Sequence, residues 1–206
     1  MTDRQPSSLL AVRIPPLHTP RLIVRELVAG DRAAVEHVAG GDRERWLRFT
    51  TLAYEQLDEL RQPPYGERAV ELRESGEMIG LVGLVPALGP FGLLPSWPEP
   101  GPRHRPEVGL YWAVAPEHRR RGIAAEAAAA LIAYAFAEVG LARVVATTEH
   151  GNVASIGVMR RLGMRIERNP APEPAWFQVV GILDADAPGA SAPWQDPAES
   201  VQGKGA

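Results

Sequence analysis

The chain has 206 residues, of which 45% are hydrophobic and 23% charged, with a net charge of -3. That is enough for one domain with a sizeable core, and the charge favours neither nucleic acid nor an anionic membrane. There is no cysteine, which removes disulfides, thiolate nucleophiles and thiolate metal sites together. The only lysine is Lys204, so the body can build neither a phosphate-loop lysine nor a Schiff base. His18, His37, His104, His118 and His150 lack paired metal-ligand spacing, so no metal is expected. No apolar run reaches the ~18 residues of a membrane helix. The N-terminus has no apolar signal core, so a cytoplasmic protein is expected.

Residues 1–19 are proline-rich and aperiodic and read as a surface arm, mobile or draped. Arg21 to Leu27 reads as a first strand, and Gly30-Asp31 as the turn and cap of a helix over Arg32 to Val38. Two further helical pieces are predicted, Asp42 to Phe49 and Glu55 to Arg61, stopped by Pro63-Pro64. Arg68 to Glu74 and Met78 to Val85, joined by Ser75-Gly76, form a hairpin. Pro86 to Pro106 holds prolines at 86, 90, 95, 98, 100, 102 and 106, with Phe91, Leu93, Leu94 and Trp97 among them. It reads as a long loop, either functional or a tolerated surface insertion.

Glu107 to Val114 is the next strand. The apolar stretch Gly122 to Val139 is a helix covered on much of its circumference and ended by Gly140. Ala142 to Thr148 reads as a strand, Val153 to Leu162 as a helix, and Met164 to Glu167 and Trp176 to Leu183 as a closing pair of strands. From residue 184 to 206 the composition turns to Ala, Pro, Gly, Ser and Asp, read as a disordered tail. The order predicts a single α/β or α+β domain over residues 20–183, with a mixed sheet and helices on both faces.

The chemistry concentrates at Arg119-Arg120-Arg121-Gly122-Ile123-Ala124. A helix starting at Gly122 exposes unpartnered N–H groups and the positive end of its dipole, where phosphate binds readily. Gly122 and Ala124 keep the approach open, and the guanidinium groups can pair with phosphate oxygens. A plain solvated basic turn is the bland alternative.

This turn resembles the signature of the GNAT N-acetyltransferases. The resemblance extends through Thr19-Pro20-Arg21-Leu22, Ile79-Gly80-Leu81-Val82-Gly83-Leu84, Glu107-Val108-Gly109-Leu110-Tyr111-Trp112, and Asn152-Val153-Ala154-Ser155 with Arg161-Leu162-Gly163-Met164. It is closest to the ribosomal-protein N-terminal (Ser/Ala) acetyltransferases. It implies a mostly antiparallel central sheet with one splayed parallel strand pair, acetyl-CoA as donor, an amine as acceptor and no metal. Dimers are common in that family, so a homodimer is a further expectation.

By the same resemblance the N–H groups of Arg121, Gly122, Ile123 and Ala124, with Arg119 and Arg120, hold the pyrophosphate. Backbone from Trp112 through Ala113 to Val114 pairs with the pantetheine arm and polarises the thioester carbonyl, and Asn152 contacts the cofactor or a water. Ser155 is the proton donor or positioning hydroxyl near the sulfur. Many relatives carry a tyrosine four residues beyond it, where this chain has Met159. Glu107 and Glu149 are base candidates, with His150 a third. The Pro86 to Pro106 segment is expected to roof the acceptor site, or to make a subunit contact. The acceptor is a protein N-terminus or a small-molecule amine. The competing reading is a non-catalytic acyl-CoA-binding sensor or partner module.

Overall fold

In this computed structural model residues 13–188 are described; the sequence expectations for residues 1–12 and 189–206 lie outside that range. Eight strands form one sheet in the order β1-β2-β3-β4-β5-β6-β8-β7. They are β1 (Leu17–His18), β2 (Leu22–Arg25), β3 (Gly66–Leu72), β4 (Met78–Gly89), β5 (Arg105–Val114), β6 (Arg143–Thr148), β7 (Arg165–Arg168) and β8 (Val179–Asp184). Every neighbour is antiparallel except β5 and β6. The helices are α1 (Arg32–Ala39), α2 (Glu44–Glu59), α3 (Ile123–Tyr134, continued by a π turn, Ala135–Val139) and α4 (Val153–Arg161). Among the described residues no helix is long and apolar enough to cross a membrane.

Side chains alternate across a strand, so the sheet has two differently packed faces. Val70, Val82, Leu110, Val144 and Ala146 face α3 and α4, where Leu131, Ile132 and Met159 fill the main core. Ala69 and Leu81 face α1 and α2, against Val35, Leu47 and Tyr54. Helix α3 is apolar nearly all round because it lies in that main core, as its composition predicts.

Several expectations need correction. The two helical pieces after α1 are one helix, α2. Thr50 and Thr51 weaken helix propensity at its middle, but their hydroxyls bond back to Trp46 and Arg48 carbonyls, and Leu47, Thr50 and Tyr54 are buried along one side. The arm is not wholly free: Ile14 is buried in the core and Leu17–His18 adds a strand beside β2. The closing strand reaches Asp184, opposite Arg143, and Ala185 packs against the core.

The proline-rich segment differs most. β4 runs through Pro86 to Gly89 and β5 begins at Arg105, so both ends of the segment are paired. Ala115 donates to the Ile79 carbonyl directly opposite. Odd-numbered residues of β5 therefore form the hydrogen-bonded pairs with β4, and Pro86, opposite Val108, falls at a non-bonded position. Its missing N–H points toward β3, which has already ended at Gly66, opposite Leu84. The remaining turn folds back tightly, with Gly101 donating to the Gly92 carbonyl, and a Cβ at Gly92 would lie 2.5 Å from the Gly101 oxygen. Phe91 stacks on Trp97 and meets Phe177 edge-on, in a third core cluster with Val145, Val180 and Ile182. Arg143 lies 4.7 Å over the Trp97 ring. These rings are interior, which answers both the surface-insertion reading and the use of Phe91 and Trp97 as a subunit contact.

Candidate functional site

The parallel strands β5 and β6 meet at a single register position, Gly109 opposite Val145. Beyond it β5 continues to Val114 and β6 to Thr148 without pairing, so a gap opens toward their C-terminal ends. The alternation that explains Pro86 also decides which groups look into the gap. Even-numbered residues of β5 turn their N–H and C=O toward β6, so Trp112 and Val114 present backbone to the gap. Ala113 does not; its carbonyl points at Gly80, where a Cβ would lie 2.8 Å away. The Val114 carbonyl accepts from Arg119 Nε at 3.0 Å, which ties the arginine turn to the end of the strand.

That turn then takes two left-handed residues, Arg120 (φ 63°) and Gly122 (φ 79°), before α3 begins. Left-handed backbone is costly for a side-chain-bearing residue and free for glycine. The result points consecutive amides outward: among the described residues, no acceptor takes the N–H groups of Arg121, Gly122, Ile123 or Ala124. Two cations stand beside them, because a Cβ on Gly122 would meet Arg21 Nη2 at 3.4 Å and Arg161 Nη1 at 3.8 Å. Neither arginine was assigned a role from sequence, although both sit inside quoted motifs.

Arg21 is held by Glu126, fully buried in the first turn of α3. The carboxylate accepts from Thr19 Oγ1 (2.5 Å), Arg21 N (3.1 Å) and Arg21 Nε (2.7 Å), while Arg21 Nη1 donates to the Arg121 carbonyl (3.1 Å). The Thr19-Pro20-Arg21-Leu22 motif is thus a clasp that fixes the arginine turn against the sheet.

Helix α4 starts where β6 ends. Asn152 caps it, its Oδ1 accepting from the Ser155 N–H at 3.0 Å, so that oxygen is already engaged. Ser155 is half-buried in the first turn. Met159 is fully buried against Gly181, so the position of the absent tyrosine belongs to the core.

The face carrying α1 and α2 is covered in two patches. α1 and α2 lie over β3, β4 and the end of β5, and the 90–101 turn with residues 175–177 lies over β6 and β8. Tyr111 and Ala113 pack at the edge of the first patch, and with Glu107 they are only half-buried, marking a less covered strip of β5. Burial pushes the Glu107 carboxyl up, opposed by Arg143. Glu149 is exposed beyond the end of β6. His150 is exposed too, its N–H on Gln178 Oε1 and its ring 3.1 Å from Arg168. A second carboxylate on this face escaped the sequence reading: Glu67 of β3, whose carboxyl burial also pushes up. Nothing in its local sequence separates it from an ordinary strand glutamate.

A folded pKa raised above the unfolded value costs stability once pH rises past the ordinary carboxylate range. The Glu67→Gln variant is therefore expected to melt no lower than the parent at pH 7. Its difference from the parent should close as pH falls toward that range, which thermal melts over pH 4–7 measure.

Residues 21–165 match the family model described as Acetyltransferase (GNAT) domain. The chain belongs to the GNAT acetyltransferase family. It is 29% identical over 154 residues to the uncharacterized N-acetyltransferase YnaD of Bacillus subtilis, covering 72% of this chain and 82% of that one. An acetyltransferase structure from Agrobacterium tumefaciens superposes with a TM-score of 0.60 at 26% identity, covering 83% of this chain and 95% of the other. Mycobacterium smegmatis RimJ, solved in complex with CoA-disulfide, shares the fold at a TM-score of 0.55 and 19% identity, over 83% of this chain and 86% of its own. The sheet with one parallel pair and four helices is the GNAT architecture the sequence implied, and this GNAT chain is an N-acetyltransferase.

Proposed function

We propose that this N-acetyltransferase draws its acetyl group from acetyl-CoA and passes it directly to a primary amine, a protein N-terminus or a small molecule, bound over the less covered strip of β5. The observation that carries this reading is the set of unpartnered amides from Arg121 to Ala124, at the mouth of α3 and beside the opened β5–β6 gap. Such amides, with Arg21, Arg161 and Arg119 to Arg121 around them, suit a diphosphate. The coenzyme's arm then lies along the gap, where the backbone of Trp112 and Val114 is turned toward it, and the thioester lies near the Gly109–Val145 junction. The CoA-disulfide bound by RimJ, on the same fold, supports the donor.

The amine attacks the thioester carbonyl, its proton passes to a base, and the coenzyme leaves as a thiolate. A polarised carbonyl gains from an N–H in the gap, as in an oxyanion hole. Glu107, on that strip two residues before the junction, is the favoured proton acceptor, direct or through water. Glu149, exposed at the strand end, is the weaker candidate. Ser155 is proposed to steady the departing sulfur, and since a thiol's pKa is only ~8.5 it has little to supply.

These roles predict different losses. Glu107→Gln should lower kcat about a hundredfold and remove the acid limb of the pH–rate profile, whereas Ser155→Ala should lower kcat about tenfold. Steady-state kinetics over pH 5.5–9 measures both, and an unchanged profile in Glu107→Gln removes that residue from the proposal. The function itself is tested by following thiol release from acetyl-CoA with a panel of amines. Acceptor-dependent release is the expected result, and coenzyme binding without release to any amine would favour the sensor reading.

A further inference from the structure

Glu67, Gly83 and Tyr111 stand opposite one another on β3, β4 and β5. Glu67 and Tyr111 therefore place their side chains on one rung of the α1–α2 face, with only the bare backbone of Gly83 between them. Gly83 is what lets β3 come in so closely, since a Cβ there would lie 2.6 Å from Glu67 Cα. Two strand spacings separate the outer Cα atoms by ~9.6 Å. A small cation between them is within reach of both the carboxylate and the ring.

Among the described residues, the one favourable contact of the Glu67 carboxylate is with its own backbone. The arginines nearby are engaged elsewhere: Arg25 with Asp31 and Glu71, Arg68 with Glu26, and Arg43 with the Ala39 and Gly40 carbonyls. The phenols that face it are Tyr111 from β5 and Tyr54 from α2. Burial pushes the Tyr111 hydroxyl up and the Glu67 charge adds to this, with Arg43 opposing. A partly buried carboxylate beside an aromatic ring, with no cation of its own, matches an incoming ammonium or guanidinium group.

We propose that Glu67, with the ring of Tyr111 beside it, is a cation subsite of the acceptor site, and that favoured acceptors carry a second positive charge besides the reacting amine. This rests on the acetyltransferase reading above. The subsite makes and breaks no bond; it positions the acceptor so that its free amine reaches the thioester end of the gap. A diamine and a peptide with a basic side chain behind its N-terminus share this chemistry.

The test compares matched acceptors: 1,4-diaminobutane against n-butylamine, and Ser-Lys peptides against Ser-Ala peptides. For the parent, kcat/KM should favour the dication roughly 10- to 100-fold in at least one pair, and the responsive pair identifies the source. In Glu67→Gln that preference should collapse, mainly through acceptor KM, with KM for acetyl-CoA unmoved. Tyr111→Leu should shrink it too, and serves if Glu67→Gln does not fold. A parent that turns over both members of each pair equally overturns the subsite alone, as does a folded Glu67→Gln that keeps the preference. A parent that releases no thiol with any amine overturns the acetyltransferase reading and the subsite with it.

Discussion

Glu126→Ala is expected to destabilise the fold by about 3 kcal/mol, a Tm drop of roughly 6–12 °C. Glu126 is fully buried on α3 and carries three different groups of the β1–β2 turn: the Thr19 hydroxyl, the Arg21 amide and the Arg21 guanidinium. Removing the carboxylate strands all three donors at once, and a stranded buried donor costs more than its hydrogen bond was worth. Arg21 is 39% exposed and recovers some of its loss to water, which keeps the figure at the lower end for a broken buried pair. Arg21→Ala should cost a comparable amount, since it leaves a buried charge unpaired. The double variant Arg21→Ala/Glu126→Ala should cost less than the sum of the two single changes. Arg21 also grips the Arg121 carbonyl and lies against Gly122, so its loss should loosen the arginine turn as well as the fold. Denaturation curves for the three variants measure the coupling. Strictly additive losses would mean that the clasp is not a unit.

Gly122→Val is expected to weaken coenzyme A binding roughly tenfold to a hundredfold while the domain stays folded. Gly122 holds φ 79°, which a β-branched residue adopts only under strain of about 1–3 kcal/mol. The new side chain would also press on Arg21 Nη2 and Arg161 Nη1, displacing the two cations that flank the turn. Either response, a shifted turn or displaced arginines, spoils the alignment of amides on which anion binding depends. Isothermal titration with coenzyme A reads the effect, and circular dichroism checks the fold. Parent-like affinity would remove Gly122 from the binding turn.

Much of the candidate site's backbone geometry was legible because its signals are local. Left-handed backbone calls for a glycine, a helix start exposes amides, and an alternating run makes a strand, so Gly122, α3 and β5 could be read from a few residues each. What escaped depends on partners far apart in sequence. Glu126 meets Arg21 across more than a hundred residues, and Glu67 gains meaning only when β3 and β5 lie on either side of Gly83. Ala113 looked equivalent to Trp112 and Val114 until strand pairing fixed which way its backbone turns. The proline-rich segment misled for a related reason. Its prolines forbid a central strand, yet Pro86 lies beyond the end of β3, where an N–H has no partner to lose, and Phe91 and Trp97 supply a small core of their own.

The most direct measurement is a crystal structure of the protein soaked with coenzyme A. The account predicts the diphosphate on the amides of Arg121 to Ala124, beside Arg21 and Arg161, with the pantetheine arm lying in the gap between β5 and β6 and its sulfur near the Gly109–Val145 junction. Density for the coenzyme anywhere else on the molecule, with that gap left unfilled, would contradict it.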